Sequence, residues 1–90
     1  IHILRNYKEM NAARFGFSQI GLFGSISRGE DRAESDVDII IHMNEPDIFK
    51  LVHIKEELED DLNRKVDIVR YREKMNPYLK KRIDKDVIYV

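Results

Sequence analysis

A chain of 90 residues is long enough for one small domain and too short for two, since a chain of this size buries only a modest fraction of its surface. Apolar residues make up 42% and charged residues 37%, which predicts an ordinary core under a surface dense in both signs of charge. Sixteen Lys and Arg against 17 Asp and Glu leave a formal net charge of -1, which argues against direct nucleic-acid binding, because that affinity rests largely on clustered Lys and Arg.

Residues 2–15 carry Ile3, Leu4, Tyr7 and Met10 near helical spacing, and Gly16 follows as a left-handed stop, so the chain is expected to open on an amphipathic helix. Residues 19–23 read as a first strand that ends at the Gly24-Ser25 turn. Residues 36–43 are the clearest strand: Val37, Ile39 and Ile41 point to one face and Ile40 to the other, the pattern of an inner strand covered on both sides. Asn44 is expected to cap a second helix, with Pro46 in its first turn and Asp47 near its third position. Ile48, Leu51, Val52, Leu58 and Leu62 are its expected buried side, and Asn63 its stop. The acidic cluster of Glu56, Glu57, Glu59, Asp60 and Asp61 is either a solvated face or a docking surface for a basic partner. Residues 65–70 read as a third strand whose polar centre, Asp67, asks for an explanation. Asn76-Pro77 signals a third helix with Leu79 and Ile83 inward, and residues 87–90 a last short strand.

These elements predict an α+β (α/β) fold: a small mixed sheet of three to four strands packed with helices, residues 1–90 forming a single domain. The absence of cysteine removes disulfide frameworks and thiolate zinc sites and suits a reducing compartment. No apolar run approaches the roughly 18 residues of a membrane span, and the amino end lacks a signal-peptide pattern. The expectation is a cytoplasmic protein with no membrane partner.

Phe23 to Ile41, FGSISRGEDRAESDVDIII, is the stretch that carries chemistry. Successive side chains of a strand alternate, so Asp36 and Asp38 share a face, and two like charges side by side repel unless a cation lies between them. A turn at Gly24-Ser25 could bring backbone N–H groups close to a phosphate. With Asp67 on a neighbouring strand, three carboxylates could meet at strand ends. That donor set suits Mg²⁺, and a pair of such ions can clamp the attacking and leaving oxygens of a displacement at phosphorus. His2 and His53 are expected to be exposed helix residues, His42 to cap the sheet, and Tyr7, Tyr71, Tyr78 and Tyr89 to pack at element edges.

A hydrophobic residue, Gly-Ser, ten intervening residues, Asp-hydrophobic-Asp-hydrophobic and a later strand Asp together resemble the nucleotidyltransferase superfamily that includes DNA polymerase β. Arg28-Gly29 after the turn, Ser35 directly before Asp36 and the tail NPYLKKRIDKDVIYV are similar to its minimal nucleotidyltransferase (MNT) family. Ser27 departs mildly from the Ala often found in that place. The resemblance implies a polymerase β-like core, with Asp36, Asp38 and Asp67 as catalytic metal ligands for Mg²⁺, as two ions. It implies that Gly24 and Ser25 hold the phosphates of ATP. Arg28 would contact phosphate or brace the loop, and Ser35, grouped with the nucleotide-binding residues, would cap or orient the Asp-Val-Asp strand.

Members of this form are commonly paired with a HEPN-domain RNase toxin, which they neutralise by transferring AMP from ATP to one of its tyrosines. The resemblance therefore implies a protein adenylyltransferase acting as an antitoxin and assembling with its toxin. Two alternatives stay open: an antitoxin that works by binding alone, and nucleotidyl transfer to a small molecule.

Overall fold

The computed structural model describes residues 2–24, 29, 36–45 and 47–90. Among the described residues three helices, α1 (His2–Phe15), α2 (Ile48–Leu62) and α3 (Pro77–Asp86), pack on a mixed sheet of β1 (Phe17–Phe23), β2 (Val37–Met43), β3 (Val66–Arg70) and β4 (Ile88–Tyr89). The strand order is β3-β2-β1-β4, so β2 lies inside the sheet as its two-sided apolar pattern requires. β1 runs antiparallel to both β2 and β4, while β2 and β3 are parallel and joined through α2.

The alternation of β2 divides the core. Val37, Ile39, Ile41 and Met43 face a cluster built with Leu4, Tyr7 and Phe15 of α1 and Ile54 and Leu58 of α2. Ile40 faces the other side, where it clusters with Phe23 of β1, Met75 from the turn before α3, and Ile83 of α3. Residues at 0% exposure lie on both sides of this strand, Ile39 and Ile41 on one and Ile40 on the other, so it is the spine of the fold.

Several local expectations are corrected. β1 starts at Phe17, two residues early, because the ladder shifts register between Phe17 and Gln19, an irregularity that leaves Ser18 Oγ 3.4 Å from the His42 carbonyl. On α1 the buried stripe runs through Leu4, Tyr7 and Phe15, leaving Ile3 and Met10 exposed about a quarter turn away. The stripe of α2 runs through Leu51, Ile54, Leu58 and Leu62, which turns Ile48 and Val52 outward at 70% and 48% exposure. Its cap is Asp47 rather than Asn44: Oδ1 accepts the N–H groups of Phe49 and Lys50 at 2.9 and 3.3 Å, and Asn44 stands too far ahead of Ile48 to reach them. Pro46 lies outside the described residues.

Other expectations hold. Gly16 (φ 73°) ends α1, Asn63 (φ 53°) ends α2, and Asn76 caps α3 by accepting from Tyr78 and Leu79 N–H. Among the described residues no helix is long and apolar enough to cross a membrane.

Candidate active site

The register of the sheet assembles the site. Phe23 of β1 lies opposite Asp38 of β2, and Asp38 lies opposite Asp67 of β3, so one lateral row crosses three strands at the edge where β1 ends and β2 and β3 begin. Asp36 directly precedes β2, two positions before Asp38, and so shares its face. Val69, two residues after Asp67, packs with the α3 cluster, as does Ile40, two residues after Asp38. The three aspartates therefore belong to the α3 side of the sheet. Asp36 and Asp67 are exposed and Asp38 is half-buried. This is the explanation of the polar centre of β3: Asp67 lies beyond the edge of the core, abreast of Asp38.

Two hydrogen bonds fix that row. Val37 N–H donates to the Lys65 carbonyl at 2.9 Å, and Val66 N–H donates to Glu59 Oε2 of α2 at 3.0 Å. The second ties the entry of β3 to the preceding helix, so part of the acidic cluster on α2 serves the frame of the site. Glu57 likewise accepts the Tyr7 hydroxyl at 2.9 Å, and burial together with that bond pushes the Tyr7 hydroxyl pKa upward.

Gly24 follows β1 with φ 77°, a left-handed conformation that favours glycine. A Cβ placed on it would collide with the Asp38 carboxylate. The turn thus passes against the carboxylate of the neighbouring strand, a closeness that no spacing rule reveals. Ser25, Arg28, Ser27 and Ser35 lie outside the described residues.

Asp38 and Asp67 are side by side in the register of adjacent strands, and a cation between two such carboxylates would be attracted by both. Hard carboxylate oxygens are the donors that Mg²⁺ takes, so the donor set fits that ion. Among the described residues no group of three His, Cys, Asp or Glu side chains is gathered to hold a metal as it stands. What the fold supplies is a common face and a common edge.

At the far end of β2 on the same side, the His42 ring stacks on Tyr71 with centroids 4.6 Å apart, and its Nε2 lies 2.7 Å from the Tyr89 hydroxyl. The Tyr71 hydroxyl donates to Asp84 at 3.1 Å. Burial lowers the His42 pKa while Asp84 opposes the shift. These contacts make His42 and two tyrosines a packed seam between β2, β4 and α3, as the edge-packing expectation had it; Tyr78, by contrast, is 83% exposed.

The family model described as "Polymerase beta, Nucleotidyltransferase" matches residues 1–90. The chain is 37% identical over 89 residues to the protein adenylyltransferase MntA of Thermococcus cleftensis, covering 98% of this chain and 89% of that one. It superposes at a TM-score of 0.80, with 22% identity, on a chain from a crystal structure of a toxin-antitoxin with AMP-PNP, covering 98% of this chain and 69% of the other. A second match, at TM-score 0.66 and 22% identity over 99% and 71% of the two chains, comes from a tri-AMPylated Shewanella oneidensis HEPN toxin in complex with an MNT antitoxin. At those identities the two structures show a shared fold alone, and the family is given by the family model and the curated relative. Family match, sequence identity and the lateral row of the sheet agree, and this chain belongs to the polymerase β nucleotidyltransferase family.

Proposed function

We propose that the chain is a Mg²⁺-dependent protein adenylyltransferase that moves AMP from ATP to a tyrosine hydroxyl of a HEPN-domain toxin, acting in the cytoplasm as its antitoxin. The observation that carries this reading is the row formed by Phe23-Gly24, Asp38 and Asp67, with Asp36 on the same face. The relative from Thermococcus cleftensis supports the reaction class, and the complexes with AMP-PNP and with a HEPN toxin support the nucleotide and the partner. Residues 1–90 would act as one minimal nucleotidyltransferase domain.

Each residue has a distinct task. Asp36, Asp38 and Asp67 would hold Mg²⁺, which when bound supplies charge stabilisation to the phosphates and the developing oxyanions. The Gly24 backbone, beside Asp38, offers a turn without a Cβ where phosphate oxygens can approach. Ser25 and Arg28 would contact the phosphates, and Ser35 would orient the start of the Asp-Val-Asp strand. Asp67, outermost in the row, accepts the tyrosine proton as the phenolic oxygen attacks the α-phosphorus. The bond to the β-phosphate oxygen breaks on the opposite side, and pyrophosphate leaves. Positioning and electrostatics are nearly all that such a transfer asks of a protein, which is compatible with so small a scaffold.

The reading is tested with ATP labelled either on its α- or on its γ-phosphate, incubated with Mg²⁺, the chain and a HEPN-domain toxin. Label from the α-position should appear on a toxin tyrosine, and label from the γ-position should leave as pyrophosphate. Transfer of the γ-label, or no transfer from either, would overturn it.

A further inference from the structure

Around the edge strand from the aspartates, on the α2 side of the sheet, a groove runs along β3 and reaches Asp67. β3 is the outermost strand on this side of the sheet. Between it and α2, Ile48, Leu51, Val52 and Ile68 line a channel that ends at Lys55 and Asp67. Its other end carries Asp47, Arg70 and Arg72. Ile48, Phe49 and Val52 turn outward at 70%, 83% and 48% exposure, so the first two turns of α2 present apolar side chains outside its buried stripe.

The strand edge contributes polar groups. Val37 N–H donates to Lys65 C=O and Tyr71 N–H to Ile41 C=O, both at 2.9 Å, so residues 65, 67, 69 and 71 turn their backbone groups to β2. The intervening Val66, Ile68 and Arg70 turn theirs outward. Glu59 accepts the Val66 N–H and closes the strand edge near Asp67. The outward groups of Ile68 and Arg70 open into the channel. Its charged rim carries Lys55, Arg70 and Arg72 against Asp47 and Asp67; the Asp47 carboxylate accepts two N–H groups of α2, and Arg70 Nε donates to the Met43 carbonyl at 3.2 Å, leaving the cations in the majority.

We propose that this groove is where the acceptor protein docks, through an apolar segment flanked by carboxylates whose tyrosine hydroxyl is thereby delivered to Asp67. The inference rests on the adenylyltransferase reading and adds to it the surface that selects the acceptor. Position argues for the acceptor rather than the nucleotide: phosphates approach at Gly24, on the β1 side of Asp38, whereas the groove begins on the far side of Asp67. Charge argues for an acidic segment, since the rim offers three cationic side chains. The apolar floor supplies a desolvated anchor, which is where binding energy concentrates.

The experiment compares wild type with Ile48→Glu and Val52→Glu, both exposed positions where a polar side chain leaves the core untouched, and with Met10→Glu on α1, exposed at 80%, as a control. Labelling of the HEPN protein by ATP is followed against acceptor and ATP concentration, and the size of each variant is measured in solution. The groove variants should raise the KM for the acceptor about tenfold or more, with the KM for ATP and kcat little changed, and Met10→Glu should behave as wild type. Equal acceptor KM in all four proteins would overturn the assignment. So would a fall in kcat at unchanged acceptor KM, or a wild-type dimer that the groove variants break with labelling intact, which would make the face a contact between copies. If wild type itself labels no HEPN protein, the adenylyltransferase reading fails and takes the groove assignment with it, a result distinct from active variants with unchanged KM.

Discussion

Asp67→Asn is expected to lower AMP transfer by about a thousandfold while leaving the stability of the protein close to that of wild type. Both follow from its place on the sheet. Asp67 lies abreast of Asp38 in the parallel register of β2 and β3, on the exposed edge of the sheet. Asp67 is exposed there, so an isosteric amide should change the stability of the fold by no more than about 0.5 kcal/mol in either direction. In the reaction the same charge helps hold the metal and takes the phenolic proton, for which several kcal/mol is an ordinary contribution, and about 4 kcal/mol corresponds to the thousandfold loss. Asp38→Asn should show the same loss of transfer. Pyrophosphate release measures the first effect and thermal unfolding the second. A further signature follows from linkage: Mg²⁺ with ATP should raise the melting temperature of wild type and leave that of Asp67→Asn almost unmoved. Retention of most of the activity by Asp67→Asn would remove this residue from the chemistry.

Gly24→Ala should damage both fold and activity, and activity more. At φ 77° an alanine bears a left-handed strain of about 1–2 kcal/mol, and its Cβ would collide with the Asp38 carboxylate. Relief requires either the turn or the carboxylate to move. A displacement on the order of 1 Å at a reacting site can cost about a hundredfold in rate, well beyond what the loss of stability removes at temperatures where the variant stays folded. The denaturant midpoint and the transfer rate of the same preparation check the two parts. A variant with the stability loss but full activity would show that the Gly24 turn and the Asp38 carboxylate need not keep their observed relation. Gly16→Ala, also at positive φ yet with open space where the Cβ would be, is the matched comparison: it should lose stability with little effect on rate.

What the sequence disclosed follows the range of the forces involved. The two faces of β2 were legible because Val37, Ile39 and Ile41 alternate with Asp38, Ile40 and His42 over adjacent residues, a purely local rule. The caps at Asn63 and Asn76 are local as well. That Asp67 would sit abreast of Asp38 depends on pairing across nearly thirty residues of chain, so its polar character showed as an anomaly in β3 and only the register explains it. The close approach of Gly24 to Asp38 has the same long-range origin. The buried faces of α1 and α2 are not legible in the sequence, because each helix carries more apolar residues than one stripe can bury. Ile3 and Met10 compete with Leu4, Tyr7 and Phe15, and Ile48 and Val52 with Ile54 and Leu58; only tertiary packing chooses among them. On α2 the rejected residues are those that floor the groove beside Asp67.

Ile40 and Val69 hold the aspartates on the α3 side, Glu59 fixes the entry of β3, and Gly24 brings the turn against Asp38. All of these matter to function only if the chain turns over, because a partner that merely masks its toxin has no use for a row of carboxylates. The decisive measurement is RNase activity of the HEPN protein after incubation with a large molar deficit of the chain, with and without Mg²⁺ and ATP. Catalysis predicts that the small amount of chain silences nearly all of the toxin when Mg²⁺ and ATP are present, and almost none when they are withheld or when Asp38→Asn replaces wild type. Silencing in proportion to the chain added, equal with and without ATP and unaffected by Asp38→Asn, would contradict the enzymatic account and leave binding in its place.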